Sequence, residues 1–248
     1  MSEFTIQGKT ALVTGANRGI GAAFVKALVN AGAQTVYAGV RDMDALRTMQ
    51  QQYTNTVKPI HLDVTNNDHI ATVASTIPQL DLLINNAGIA HGANAISENA
   101  LEIARLEMET NFFAAVNLTL ALLPKLQQSA HAGIINICSI AAISNFPNLA
   151  PYSASKAALH SFTQGLRAIL GKTSTRIVGV YPGPINTRMA EGWEVEKGEA
   201  DDVAQQSLAA LSNDQNDVFP DAFSQHMIDL FLQHPQELEK AFAATLEQ

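Results

Sequence analysis

Six short apolar runs punctuate the chain: Thr10–Thr14, Thr35–Val40, Pro59–Val64, Leu80–Ile84, Gly133–Ser139 and Arg176–Tyr181. Each is rich in Val, Ile or Leu and none alternates strictly between apolar and polar. Strands covered on both faces of a parallel sheet read this way. Asp217–Phe219 is a candidate for a short seventh strand. The stretches between the runs carry a helical period. Ile20–Ala31 is Ala-rich, has apolar side chains at 20, 24, 25 and 28, and is closed by Gly32. Leu101–Leu123 is long, and Pro124 follows it. Tyr152–Leu170 spaces Leu159, Phe162, Leu166 and Ile169 along one face and is closed by Gly171. Ala222–Leu246 reads as helix interrupted at Pro235. Strand–helix alternation of this kind predicts a doubly wound α/β fold, a parallel sheet of six to seven strands with helices on both faces. No linker-like segment or repeat divides it, so residues 1–248 are expected to form one domain.

Composition narrows the possibilities. Of 248 residues, 47% are apolar, enough for a sizeable core. The net charge of −8 comes without basic runs, which argues against nucleic-acid or anionic-membrane partners. Cys138 is the only cysteine, so no internal disulfide and no cysteine-based zinc site can form. It follows an apolar run and is expected to be a small buried hydrophobe. No segment reaches the length of a membrane span. The first residues, Met-Ser-Glu-Phe-Thr, lack a basic stretch followed by an apolar one, so a cytoplasmic protein is expected.

In such sheets ligands sit outside the carboxyl ends of the strands. The first run is followed there by Thr14-Gly15-Ala16-Asn17-Arg18-Gly19-Ile20-Gly21. Its glycines are spaced Gly-x3-Gly-x-Gly. They permit a tight turn and the close approach of a diphosphate, and the helix beginning near Gly19 points its free N–H groups at the anion. Arg18 lies in this turn and Arg41 ends the second run. Two cations near a ribose 2′ position favour a 2′-phosphate, hence NADP(H). Asp42, directly after Arg41, keeps NAD(H) open.

Tyr152 and Lys156 are four residues apart at the start of a helix, so both project from one face. An ammonium ~4 Å from the phenol at an effective dielectric of ~20 contributes about 4 kcal/mol. That would lower the phenol from ~10 by about three units, toward neutrality. Ser139 closes the fifth run, where a hydroxyl can bond a substrate carbonyl. No Gly-x-Ser-x-Gly elbow surrounds it, which argues against a hydrolase nucleophile. The histidines form no metal-binding pattern, and no metal is expected.

Together these pieces resemble the short-chain dehydrogenase/reductase family. Thr14–Gly21 is similar to its cofactor turn, Asp63-Val64 to the acidic pair beside the adenine, and Asn85-Asn86-Ala87-Gly88 to the segment supporting the central strand. Asn111, Ser139, Tyr152 and Lys156 match its catalytic tetrad in order and spacing. Pro182-Gly183-Pro184-Ile185-Asn186-Thr187 is similar to its nicotinamide-contacting segment. The motifs span residues 14 to 187.

The resemblance implies a Rossmann-type fold and hydride transfer between nicotinamide C4 and a small carbonyl compound or alcohol. Tyr152 would act as acid or base, Lys156 would hold the nicotinamide ribose and depress the Tyr152 pKa, and Ser139 would orient the carbonyl. Asn111 would hold a water linking Lys156 to solvent, and Ile185 and Thr187 would hold the carboxamide. Met189–Ala200 corresponds to a lid over the substrate, with Gly192 and Gly198 as hinge candidates. Met189, Trp193, Phe146 and Ile140 are the candidates for an apolar pocket, and His91 for its mouth. Asp-Val-Phe-Pro-Asp at Asp217–Asp221 departs from the Asp-Gly-Gly turn common near the end of the family's chains. The segment after it is expected to cover either the active site or a partner's surface. Family members pair through helices corresponding to Leu101–Leu123 and Tyr152–Leu170, which implies a homo-oligomer, dimer or tetramer. Two other readings are a non-catalytic NADP-binding regulator and a sugar-nucleotide epimerase-like enzyme. The complete tetrad argues against the first, and the chain length and glycine spacing against the second.

Overall fold

A computed structural model describes residues 4–42, 44, 47–53 and 55–246. Met1–Glu3, the start of the amino-terminal stretch read above as lacking a leader, lie outside the described residues. In chain order the elements are β1 (Thr10–Thr14), α1 (Gly19–Asn30), β2 (Thr35–Val40), α2 (Arg47–Gln52), β3 (Val57–His61), α3 (Asn67–Thr76), β4 (Leu82–Asn85) and α4 (Ala100–Met108). Then come α5 (Ala114–Leu126), β5 (Ala132–Ile137), α6 (Ala150–Leu170), β6 (Thr175–Val180), α7 (Ala200–Ser212), β7 (Asp217–Val218), α8 (Ala222–Gln233) and α9 (Pro235–Ala243).

The strands form one parallel sheet in the order β3-β2-β1-β4-β5-β6-β7. The order reverses beside β1, between β1 and β4, which puts the ligand crevice at their carboxyl ends. The runs predicted as β1 and β2 match residue for residue, and Asp217-Val218 is the seventh strand. Strand β3 starts two residues earlier than its run and β4 two residues later. At β4 the cause is Asp81, whose carboxylate accepts from Thr10 N (2.9 Å) and Ser129 Oγ (2.6 Å) and pairs with Lys9 at 3.5 Å. Burial pushes its pKa up, but these bonds outweigh burial and hold it below the usual range.

One helix expectation is corrected. Leu101–Leu123 is not one regular helix ended by Pro124. A π turn at Glu109–Phe113 separates α4 from α5, and α5 runs over Pro124 to Leu126. A proline so close to the end of a helix removes a single backbone bond, which packing of Leu122 and Leu126 offsets.

Two apolar layers flank the sheet. One packs Phe24, Val25, Leu28, Val203 and Leu211 against one face, and the other packs Ile70, Val73, Leu118, Leu122 and Leu166 against the opposite face. Cys138 is buried, as expected, and burial pushes its thiol up to about 12. Among the described residues, no helix is long and apolar enough to cross a membrane.

Candidate active site

The turn after β1 is shaped by glycines. Gly15 and Gly19 have φ of 63° and 51°, and a Cβ on Gly21 would lie 2.2 Å from the Gly15 carbonyl oxygen. Only glycine at 21 lets α1 begin so close to the strand. The turn is braced from β4: Thr14 Oγ1 accepts from Asn86 N and Ala87 N, both at 2.9 Å, and Asn86 Nδ2 donates to Thr14 O at 2.8 Å. A Cβ on Gly19 would meet Thr187 Cγ2 at 3.0 Å, so the turn and the 182–187 segment face each other. The first turn of α1 has no side-chain cap and no acidic residue. Its free N–H groups are what a diphosphate requires, so these residues fit a dinucleotide. Asn17 and Ile20 belong to the same turn, and Arg18 is exposed at its edge.

Arg41 is exposed at the end of β2. Asp42 accepts from the backbone of Asp44 at 3.0 Å. Asp63 accepts from Thr65 N and Oγ1 at 3.0 and 2.7 Å. Partial burial pushes Asp63 up, yet those bonds, with the charges of Arg41 and His69, bring it below its ordinary value. Val64 packs at the margin of the second apolar layer.

Across the crevice, Ser139, Tyr152 and Lys156 converge. Ser139 Oγ accepts from Ala141 N at 3.2 Å and donates to Pro182 O at 3.4 Å. Its side chain is close enough to the Tyr152 phenol to act on it, favouring the ionised form. Lys156 Nζ lies 5.7 Å from the Tyr152 ring centroid and donates to Ile137 O at 2.7 Å. Tyr152 is 9% exposed and Lys156 3%. This corrects the electrostatic expectation. Burial favours the neutral form of each group. It pushes the phenol up to about 12 although Ser139 opposes it, and it pushes the ammonium down to about 8. In the protein alone, Lys156 does not make Tyr152 acidic.

Asn111 sits in the π turn, a distortion that often marks functional positions. Its Oδ1 accepts from Ile89 N at 2.8 Å, and its Nδ2 donates to Ile89 O and Ser155 Oγ, both at 2.9 Å. It therefore ties the 88–91 loop to the helix that carries Tyr152 and Lys156. Gly88 lies between: a Cβ there would sit 3.1 Å from Asn111 Oδ1 and 3.5 Å from Lys156 Nζ.

Of the substrate candidates, the structure brings two together. Ile140 and Phe146 pack with Met227, Leu238 and Phe242 of α8 and α9. Met189 and Trp193 are exposed. Gly192, at φ 81° with open space around it, suits a hinge. Gly198 does not, since its N–H donates to Pro184 O at 2.9 Å and its carbonyl accepts from Asn186 N at 2.8 Å. His91 is half exposed, its backbone N–H held by Glu107. The carboxyl-terminal helices thus pack on Ile140, the neighbour of Ser139.

Two further groups had weaker signals. Asp221 is buried, caps α8 in a capping box with Ser224, and accepts from Gly183 N at 2.8 Å. It locks the 182–187 segment to α8. An Asp three residues before Ser, ahead of an apolar pattern, resembles the capping signature that could have revealed it. Asn85 donates to Thr119 Oγ1 and Asn136 Oδ1 at 3.0 and 2.8 Å, and Asn136 donates to Thr163 Oγ1 at 2.9 Å. This buried ladder fixes α5 and α6 to the sheet beneath the site. Its traces in the sequence are Asn136 inside the fifth apolar run and Asn85, directly after the fourth, at the head of the Asn85–Gly88 motif.

The model of the short chain dehydrogenase family matches residues 9–198. The chain belongs to the short-chain dehydrogenase family. An uncharacterized oxidoreductase of Staphylococcus saprophyticus is 32% identical over 217 residues, 83% of this chain and 92% of that protein. A Burkholderia cenocepacia short-chain dehydrogenase, solved in complex with NADP, superposes with a TM-score of 0.90 at 36% identity, covering 96% of this chain and 99% of the other. A short-chain dehydrogenase/reductase of Burkholderia phymatum, solved with NAD, shares the fold with a TM-score of 0.84 at 21% identity, over 94% and 96% of the two chains. The chain is thus of an oxidoreductase family with a Rossmann-like fold.

Proposed function

We propose that this chain is an NADP(H)-dependent carbonyl reductase acting on a small organic substrate, equally describable as an alcohol dehydrogenase when run in reverse. The observation that carries the reading is a buried Tyr152, with Ser139 close to its phenol and Lys156 Nζ 5.7 Å from its ring, at the same strand ends as an uncapped glycine turn. Gly15, Asn17, Gly19, Ile20 and Gly21 would hold the diphosphate. Asp63 and Val64 would hold the adenine, Asn86, Ala87 and Gly88 would shape the floor, and Pro182, Gly183, Ile185 and Thr187 would hold the nicotinamide end. A dinucleotide bound there supplies the hydride.

The protein supplies the proton. Ser139 orients the carbonyl oxygen toward Tyr152, whose O–H donates to it as negative charge develops. A phenol held at about 12 is fully protonated at neutral pH, the form reduction needs. The phenolate left behind then takes a proton from Lys156, an ammonium at about 8, so the transfer runs downhill. A binding-only regulator would have no use for this pairing. A screen of NADPH oxidation against aldehydes, ketones, quinones and steroids tests the reading: no turnover on any of them overturns it.

The preference for NADP(H) is supported by Arg18 and Arg41, both exposed where a 2′-phosphate would sit, and by Asp42, whose carboxylate caps its own turn. The double change Arg18→Ala, Arg41→Ala should raise KM for NADPH by about 10²-fold, since each charge-assisted phosphate contact contributes about 1.5–3 kcal/mol. KM for NADH should stay within twofold. A wild-type kcat/KM that favours NADH contradicts this part. We also propose a homo-oligomer that buries the exposed Leu101, Leu106, Leu120 and Ile169 on α4, α5 and α6, with Phe113 of the π turn. Sedimentation equilibrium should give a dimer or tetramer, and a monomer at micromolar concentration excludes it.

A further inference from the structure

One buried carboxylate joins the segment that would hold the nicotinamide to the carboxyl-terminal cover. Asp221 stands at the head of α8 and is 6% exposed. Its Oδ1 accepts from Ser224 N at 2.8 Å, which caps the helix. Its Oδ2 accepts from Gly183 N at 2.8 Å and from Ser224 Oγ at 2.9 Å. All three donors are neutral. A serine, threonine or asparagine would cap α8 about as well without burying a charge. Capping therefore does not account for a carboxylate here. The contact that needs its second oxygen is the bond to Gly183.

The surroundings are fitted to this side chain. A Cβ on Gly183 would lie 2.7 Å from both Asp221 Oδ1 and Phe223 Cδ1, and a Cβ on Gly198 would lie 2.6 Å from Asp221 Cβ. Two glycines thus leave the room that the aspartate fills. The N–H of Gly183 belongs to the same planar peptide unit as the carbonyl of Pro182. That carbonyl accepts from Ile140 N at 3.0 Å and from Ser139 Oγ at 3.4 Å. One end of the peptide unit is therefore held by Ser139 and Ile140 and the other by Asp221, which fixes its tilt from both sides.

We propose that Asp221 is a positioning residue for hydride transfer. It sets the tilt of the Pro182–Gly183 peptide, and through that peptide it aligns the 182–187 segment with Ser139. The proposal rests on the reductase reading above. Asp221 touches no reacting atom. With Gly183 N released, the peptide is free to rotate, and the segment and the carbonyl-orienting hydroxyl lose their common anchor. The tie also runs the other way. Coupling between two sites is reciprocal, so a dinucleotide seated on the segment tightens the first turns of α8.

Asp221→Ser keeps a helix cap, but its one short hydroxyl cannot also reach Gly183. It should lower kcat for reduction by about 10²-fold, the cost of a displacement of about 1 Å at the reacting centre. NADPH affinity, read from nucleotide fluorescence without substrate, should fall by about tenfold, the measure of one lost hydrogen bond to a charged group. Affinity for adenosine 2′,5′-bisphosphate, which has no nicotinamide, should not change. Ser224→Ala separates capping from positioning. It removes the capping-box hydroxyl and leaves the Gly183 bond, so α8 should exchange its amide hydrogens faster while kcat and NADPH affinity stay within twofold. Wild-type kcat and NADPH affinity in Asp221→Ser would overturn the proposal. So would equal weakening of NADPH and the bisphosphate, or a loss in Ser224→Ala as large as in Asp221→Ser, because capping would then explain the effect. If Asp221→Ser does not fold, wild-type protein decides: NADPH should slow hydrogen exchange across residues 222–233 and the bisphosphate should not, and any other pattern overturns the proposal. Should the wild-type enzyme reduce nothing, the reductase reading fails, while affinity and exchange still test the tie between Asp221 and the 182–187 segment.

Discussion

Tyr152→Phe lowers kcat for carbonyl reduction by about 10²–10⁴-fold, the range for removing a positioned general acid. The change deletes one oxygen and leaves the ring in its buried place on α6, so folding and dinucleotide affinity persist. Three observations set this expectation. The phenol is buried and pushed up to about 12, so it carries its proton at every physiological pH. Its hydroxyl is close to Ser139, the other group able to meet a substrate oxygen. Among the described residues no other phenol shares this position: Tyr181 is buried among Cys138, Leu159 and Phe219 and bonds His160 Nδ1 at 2.7 Å. Steady-state turnover, with NADPH affinity measured by fluorescence, separates the two effects. Near-normal kcat in the variant would remove Tyr152 from the chemistry.

Phe242→Ala destabilises the carboxyl-terminal cover by about 3–5 kcal/mol, the usual cost of emptying a buried aromatic position. Phe242 is 1% exposed and meets Phe146 edge-on at 5.2 Å and Phe223 in a stack at 6.5 Å between centroids. Its cluster is separate from the two layers on the sheet, so the loss falls on α8 and α9 first. Hydrogen exchange should show residues 222–246 losing protection while β1, β4 and β5 keep theirs. Because Ile140 directly follows Ser139 and Phe146 begins the approach to α6, KM for the carbonyl substrate should rise more than kcat falls. Uniform loss of protection across the sheet would mean that the cover is part of the main core instead.

Much of this molecule is legible in its amino-acid order because the determinants are local. A strand buried on both faces must be apolar along its length, which is why β1 and β2 are read to the residue. A tight turn against a helix start needs glycine, which marks Gly15, Gly19 and Gly21. Tyr152 and Lys156 share a face because helical geometry puts every fourth residue there. The order of the motifs along the chain, with the match to residues 9–198, was enough to assign the family.

What the sequence could not determine is everything set by distance across the fold and by exclusion of water. A spacing of four residues says that an ammonium is near a phenol. Only the packed structure says that both are desolvated, that Lys156 donates to Ile137 O, and that the phenol is consequently held up instead of drawn down. The π turn that presents Asn111 depends on packing between α4, α6 and the 88–91 loop, and helical periodicity cannot register one inserted residue. Asp221 reaches Gly183 across 38 residues and Glu107 reaches His91 across 16, contacts with no periodic signature. Local pattern dictates which elements form. Burial, a property of the assembled whole, decides which of their polar groups hold a proton.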